Sequence, residues 1–174
     1  IGAASGFNNT ANQNHAFGDS ALFNNTTGIG NTAIGYRSMS GSGPITGNVN
    51  VAVGNNTLRS VTSGAQNVAI GDNAMGSMQT GSVNIAIGAG TMENASKGIS
   101  NIAIGSFAQR FNDSASYNVA VGHSSLYYND SIRNVAVGFE ALAYNNRNDN
   151  LALGYRAGYL NNYLQTNPDL GVEN

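Results

Sequence analysis

The chain has 174 residues, of which only 9% are charged, and its formal net charge of −2 leaves no basic stripe that would favour nucleic acid. No apolar run approaches the ~20 residues that cross a bilayer, so we expect no membrane insertion by this segment. The chain contains no cysteine, which excludes disulfides and thiolate metal sites but leaves the cellular compartment undecided.

A five-residue phrase, Asn-x-Ala-x-Gly, dominates the sequence and recurs nine times at a spacing of 16 to 19 residues. A unit of about 17 residues cannot enclose a core of its own, so each copy is predicted to be one rung of a stacked solenoid. Ile1-Gly2 resembles the end of a further copy, and we expect the chain to be a piece of a longer one. The nine copies end at Gly18, Gly35, Gly54, Gly71, Gly88, Gly105, Gly122, Gly138 and Gly154.

Each rung is predicted to hold two short strands, as in the copy at residues 67–75. Val68 and Ile70 are β-branched and flank an alanine, which is typical of a strand. Gly71 and the two polar residues after it predict a tight turn. We expect a second strand at a small residue followed by Leu or Met, here Ala74-Met75, and then a polar loop that returns to the next Asn.

The two faces of the first strand differ in the size of their side chains. The third position of the phrase is alanine in every copy, which implies room for one methyl group, whereas the fourth is always large and apolar. We expect both faces to be buried. One chain encloses too little to cover the larger face, so a continuous Val/Ile stripe favours association with further copies. The residues assigned to the core of the assembly or of the roll are Val53, Ile70, Ile87, Ile104, Val121 and Val137.

The asparagines of the phrase are predicted to form a ladder along the rod. In-register stacking places each one above the last at about 4.8 Å, the spacing of neighbouring strands. Each side-chain amide is then able to donate to one neighbour and to accept from the other. The residues assigned structural roles in three central copies are Asn67, Ala69, Gly71, Asn84, Ala86, Gly88, Asn101, Ala103 and Gly105.

Candidates for binding lie where the copies differ from one another. The longest insertion, residues 40–47, is expected to bulge outward and contains Pro44 and Ile45. It is either a functional loop or a tolerated insertion. Tyr127, Tyr128 and Tyr144 fall in predicted return loops. There they form either an exposed stacking platform for a sugar or a protein receptor, or packing between loops.

The remaining polar residues give no catalytic pattern. His15 and His123 lie six rungs apart, with no Ser/His/Asp grouping and no metal-ligand spacing beside either. We therefore expect no enzyme, no metal site and no cofactor. The repeat domain is assigned to residues 1–158, and residues 159–174, which lack the phrase, to a C-terminal cap or a transition to another module.

The phrases Asn-Val-Ala-Val-Gly and Asn-Ile-Ala-Ile-Gly, followed by two variable residues and a small one, resemble the head repeat of trimeric autotransporter adhesins of the YadA-like type. A longer form at residues 24–39 is similar to repeats of phage tail fibres. The resemblance covers residues 1–158, although the spacing here is longer than in the adhesin repeat. It implies an all-β fold, a left-handed parallel β-roll solenoid of 16–19-residue repeats, assembled as an intertwined or side-by-side homotrimer.

The same resemblance implies a function outside the cell, on a bacterial surface or on a virion tail fibre. In one interpretation the segment is a head that adheres to a host or cell-surface glycan or protein receptor. In the other it is a shaft that acts as a structural spacer with no binding activity of its own. The residues that define the family are structural, so the resemblance assigns no binding residue.

Overall fold

The computed structural model describes residues 2–161 and shows an all-β solenoid. Nine short strands, one from each copy of the phrase, form a parallel sheet in which each strand pairs with that of the next copy. The predicted parallel solenoid and the first strand of each rung are thereby confirmed. The strands are β1 (His15–Phe17), β2 (Thr32–Ile34), β3 (Val51–Val53), β4 (Val68–Ile70), β5 (Ile85–Ile87), β6 (Ile102–Ile104), β7 (Val119–Val121), β9 (Val135–Val137) and β11 (Leu151–Leu153).

The register of this sheet places each copy of the phrase directly on the next. Ala69, for example, pairs with Ala52 on one side and with Ala86 on the other. The glycine that ends the phrase is required by the same stacking. Gly71 has a φ of +130°, and a Cβ built there would lie 2.5 Å from the carbonyl oxygen of Gly88 in the next rung. Both the backbone angle and the close approach exclude a side chain at this position.

The two faces of each strand differ in burial. In β5, Ala86 is fully buried, whereas Ile85 and Ile87 are 37% and 38% exposed. The single chain leaves the larger face partly uncovered, as predicted, because the interior of the roll lies on the alanine side only. Burial of both faces in an assembly stays a prediction. We call the first and third residues of the nine strands the outer stripe. All the residues assigned to the core of the assembly or of the roll lie on this stripe and not inside the roll: Val53, Ile70, Ile87, Ile104, Val121 and Val137.

The predicted second strand is wrong, because the residues after the glycine form a tight turn. Asn73 and Met75 both have a left-handed backbone, with φ of 53° and 52°. The Gly76 amide also donates to Asn73 O at 3.1 Å, a bond across three residues that an extended strand does not form. Hydrogen bonds to both neighbouring rungs persist nevertheless. The Asn73 amide donates to Asn55 O in the preceding rung, and the Met75 amide donates to Thr91 O in the following one, each at 2.9 Å.

Side chains from these turns fill the interior of the roll. Leu58, Met75 and Met92 are fully buried beside the alanines of the sheet. Gln109 interrupts this apolar column and is also fully buried. Its Nε2 donates to Ile102 O at 3.1 Å, and its Oε1 accepts from Asn112 Nδ2 at 2.6 Å. The hydrogen bonds offset the cost of placing an amide in the core.

The predicted asparagine ladder is confirmed, and it is more extensive than a chain of amides. The side chain of Asn84 donates from Nδ2 to Asn67 Oδ1 at 3.1 Å and to Gly98 O at 2.7 Å. Its Oδ1 accepts from both the backbone amide and Nδ2 of Asn101, at 2.9 and 3.1 Å. Every donor and acceptor of this fully buried side chain therefore has a partner.

A second, smaller sheet forms toward the C-terminal end of the described chain. It contains β8 (Tyr128–Asn129), β10 (Tyr144–Asn145) and β12 (Leu160–Asn161), all parallel. Stacking thus continues past residue 158, where the repeat domain was predicted to end. The rest of the predicted cap, residues 162–174, lies outside the described residues. Within residues 2–161, no helix is long and apolar enough to span a membrane.

Candidate binding cleft

The structure brings together the three tyrosines that were predicted to bind. Tyr128 and Tyr144 lie in strands β8 and β10, not in loops, and they pair in register. Their rings stack with centroids 5.4 Å apart, and Tyr127 packs edge-on against Tyr128 at 4.9 Å. The three tyrosines therefore pack against one another while part of each ring stays exposed to solvent.

The insertion that contains Pro44 and Ile45 lies several rungs away from the tyrosines. Ile45 is fully buried and bridges to Asn25 of the neighbouring rung, so the expected outward bulge does not include it. Its apolar side chain continues the interior of the roll, which removes it from any surface site. Pro44 remains exposed.

One wall of a cleft is a column of residues that follow the buried turn position in successive rungs. The pairing of Tyr144 with both Tyr128 and Leu160 fixes the alignment of the three C-terminal rungs. A bridge between Phe111 and Tyr128 aligns the rung before them. Ala143 is the small member of this column, and it leaves a gap between two tyrosines. In chain order the column consists of Arg110, Tyr127, Ala143 and Tyr159.

The opposite wall is formed by left-handed residues of the turns. The amide of Ser124 donates to Ser106 O of the preceding rung at 3.0 Å, and the amide of Glu140 donates to His123 O at 2.9 Å. These bonds stack the turns of successive rungs in register along the rod. Ser124 is the small member of this wall, between Phe107 and Glu140.

Between the two walls lies an open cavity of about 250 Å³, which Tyr144 also lines. Its volume is smaller than the ~300–1,000 Å³ of pockets that enclose drug-sized ligands. The cavity exists because Ser124 and Ala143 are small where their neighbours along the two columns are large. It therefore fits a single ring or a short segment of a larger molecule.

The charges that border the cleft are paired. Arg110 donates from Nε to Glu93 Oε2 at 2.8 Å and from Nη1 to the Tyr127 hydroxyl at 3.2 Å. Two rungs away, Glu140 accepts from Arg156 Nε at 2.6 Å. The cleft consequently offers hydrogen-bonding groups of both kinds without an excess of either charge.

The arginines also hold the aromatic side chains in place. The guanidinium of Arg110 lies over the rings of Phe107 and Phe111, at 4.9 and 5.2 Å from their centroids. Arg156 bridges Tyr155 and Tyr159 in the same way, at 5.5 and 5.0 Å. Such contacts between a cation and an aromatic face restrict both partners.

Two pKa shifts follow from these contacts. Burial alone lowers the pKa of Arg110, but the bonds to Tyr127 and Glu93 outweigh it, and the pKa is raised. The neighbouring Tyr159 phenol raises the pKa of Tyr144 above its ordinary value. The Tyr144 hydroxyl therefore keeps its proton, and with it the capacity to donate, to a higher pH than that of an ordinary tyrosine.

His123, for which no functional role was predicted, stacks in a second aromatic column outside the cleft. Its ring is parallel to that of Phe139 at 5.2 Å and meets Phe107 edge-on at 5.8 Å. Phe139 in turn stacks on Tyr155 at 5.4 Å. His15 lies far from this column, exposed on β1.

Sequence reasoning identified Tyr127 and Tyr144, which line the cavity, and Tyr128, which stacks on Tyr144 beside it, but it missed the other lining residues. Arg110 and Tyr159 share the sequence offset of Tyr127, one residue after the buried Leu/Met position. That shared offset was the available signal. The small residues that create the cavity carry no chemical signal of their own.

No group of three or more His, Cys, Asp or Glu side chains that would suit a metal ion is present in residues 2–161. The polar groups of the cleft suit hydrogen bonding to an uncharged ligand. In comparisons with protein families, curated proteins and solved structures, the chain has no significant match.

Proposed function

We propose that this chain is a non-enzymatic segment of an extracellular attachment fibre, in which three copies wind as left-handed rolls with 16–19-residue repeats and pack through their outer stripes. The observation that carries the proposal is the outer stripe itself. Apart from His15, Phe17 and Thr32 in the first two strands, the stripe consists of Ile, Val and Leu side chains, and it lies on a face that one chain leaves partly uncovered.

The length and the apolar character of the stripe suit an interface between parallel rods. Nine strands at about 4.8 Å extend it to roughly 38 Å. Ile85, Ile87, Ile102 and Ile104 each leave 36–39% of their surface exposed in the single chain. Burying that remainder is worth about 0.5–1 kcal/mol per side chain, so many such residues together favour a stable complex. Monomeric proteins rarely leave so long an apolar patch in water.

The number of copies and the handedness rest on the resemblance to adhesin and tail-fibre repeats. The non-enzymatic role is supported by how the polar interior is used. The buried asparagine side chains direct their hydrogen bonds to neighbouring rungs and not to a cavity. A rod held together in this way suits mechanical extension from a bacterial surface or a virion.

Two roles remain within this proposal, and different observations favour them. The aromatic cleft favours a head that adheres to a receptor on a host or another cell. The uninterrupted in-register stacking favours a spacer shaft, as in a phage or phage-like tail fibre with no binding activity of its own. Binding of the isolated chain to cells or glycans distinguishes the two, since a shaft does not bind.

The assembly is tested by the mass of the chain in solution. Sedimentation equilibrium of the 17.9 kDa chain is expected to give three times that mass. The double variant Ile87→Asp/Ile104→Asp places charges on the stripe and is expected to give monomers, because each carboxylate would have to be desolvated in the interface. Thr80→Asp, on an exposed return loop, is the matched control and should leave the mass unchanged. A wild-type chain that remains monomeric at high concentration would refute the proposed assembly.

A further inference from the structure

The cleft between the two walls has features that point to a particular class of ligand. Its aromatic side chains are Phe107, Tyr127, Tyr144 and Tyr159. Aromatic faces pack well against rigid rings that present C–H groups. The volume of about 250 Å³ admits one such ring while leaving the rest of a longer chain outside.

The charged residues that line the cleft are Arg110 and Glu140, which lie two rungs apart. Arg110 uses one N–H for Glu93 and one for Tyr127, and a guanidinium carries five N–H donors, so further donors remain. Glu140 accepts from Arg156 through Oε2, and a carboxylate can accept several hydrogen bonds. A ligand in the cleft thus meets free donors at Arg110 and acceptor oxygens at Glu140.

The balance of charge excludes strongly charged ligands. Each cation at the cleft is paired with an anion of the same chain, Arg110 with Glu93 and Arg156 with Glu140. A phosphate or a carboxylate that bound the remaining donors of Arg110 would be repelled by the neighbouring Glu93 carboxylate. An uncharged molecule with several hydroxyl groups meets no such repulsion, and each hydroxyl both donates and accepts.

We propose that this cleft binds one ring of a neutral saccharide, with the apolar face of the sugar on the tyrosines and its hydroxyl groups on Arg110 and Glu140. The inference deepens the proposed attachment role and rests on it for its biological use. The cleft itself is built within one chain. A proline-rich peptide, which also packs on aromatic grooves, lacks the hydroxyl groups that these two charged residues would engage.

The proposal is tested with the intact chain on an array of immobilised neutral, sialylated and sulfated oligosaccharides, followed by saturation-transfer NMR with the neutral glycan that binds best. Binding to neutral glycans is expected. Ala143→Tyr should abolish it, since the new ring fills the gap between Tyr127 and Tyr159, where the column already holds tyrosines. Tyr144→Ala should weaken binding about 10-fold by removing one stacking face.

Two further variants keep the test independent of folding. Glu140→Gln preserves the shape of the side chain but removes the carboxylate, and it should weaken glycan binding while lowering the melting temperature only slightly, through the weakened contact with Arg156. Tyr117→Ala is the matched control, because Tyr117 is 54% exposed and does not line the cleft. It should bind as the unmodified chain does.

Several outcomes would overturn the inference. They are the absence of binding to any glycan on the array, unchanged binding by both Ala143→Tyr and Glu140→Gln, or a preference for the charged glycans. Direct binding of a proline-rich peptide where no saccharide binds would overturn it as well. Failure here is separate from failure of the assembly. A trimer that binds no saccharide leaves the spacer role intact, whereas a monomer that binds saccharide overturns the proposed trimer only.

Discussion

Replacement of Asn84 by alanine should be among the most damaging single changes in this rod. The side chain supplies a partner to three groups that have no other: the Gly98 carbonyl at 2.7 Å, and the backbone amide and one Nδ2 hydrogen of Asn101 at 2.9 and 3.1 Å. Asn84 and Asn101 are both fully buried, so water cannot readily replace the lost bonds.

The magnitude follows from the number of groups left without a partner. A buried donor or acceptor that loses its partner costs about 1–3 kcal/mol, so three of them give about 3–9 kcal/mol. Relaxation of neighbouring rungs should bring the observed loss toward the lower end. Asn48→Ala is the matched control, because Asn48 is exposed and its Oδ1 accepts only from the Ile29 amide at 2.7 Å. Water can satisfy that amide, so the control should lose about 0.5–1 kcal/mol.

The measurement is urea-induced unfolding followed by circular dichroism at one fixed protein concentration, with hydrogen exchange of the Asn101 amide as a local readout. Exchange at Asn101 should accelerate in Asn84→Ala and not in Asn48→Ala. If the two variants lost similar stability, or if Asn101 remained protected in Asn84→Ala, the ladder would not be the main support of the stack.

Two further predictions concern single positions. Gly71→Ala should lower stability by at least about 1–3 kcal/mol in thermal unfolding, because its φ of +130° strains an L-residue and the new Cβ would meet the Gly88 carbonyl. Gly43→Ala, where a Cβ has open space, should be neutral or slightly stabilising, and equal losses at both sites would refute this reasoning. The hydrogen bonds from Arg133 lower the pKa of Asp149 below its ordinary 3.8, so the pair stabilises the fold above that pH and ceases to do so as pH falls through the lowered pKa. The melting temperature of Asp149→Asn should therefore lie slightly below that of the unmodified chain at neutral pH and converge with it as the pH falls below the lowered pKa of Asp149, and a gap that widened in acid would contradict the assignment.

The parts of the fold that the sequence predicts correctly depend on contacts between identical positions of the phrase. Ala69 lies between two alanines, and Asn84 lies between two asparagines. Once equal repeats are stacked in register, each of these contacts follows from a single copy. Strand position, register and ladder were predictable for this reason.

The second strand was predicted wrongly because two backbones give the same side-chain pattern. Alternation of a small residue with Leu or Met is typical of a strand with one face inside. Alternate left-handed residues, such as Asn73 and Met75, direct every second side chain in a similar way. Only the hydrogen bonds across three residues, which the side-chain pattern does not show, distinguish the two.

The cleft was only partly predictable. The tyrosines were evident from composition, but the cavity depends on small residues at Ser124 and Ala143, whose significance appears only when the rungs are aligned. Nor does the pattern show that Arg110 reaches Tyr127, 17 positions later, since that contact requires two particular rotamers.

The asparagine ladder has a direction along the rod: each side-chain oxygen accepts from the asparagine of the following rung, and in most copies Nδ2 donates to the oxygen of the preceding one. A rung that is duplicated or deleted as a whole presents the same donors on one side and the same acceptors on the other, so the ladder closes again. An inverted segment would instead place oxygen against oxygen. Gain or loss of complete repeats is therefore the genetic change this rod accommodates most easily, and it offers a way to alter reach without altering the rest of the molecule.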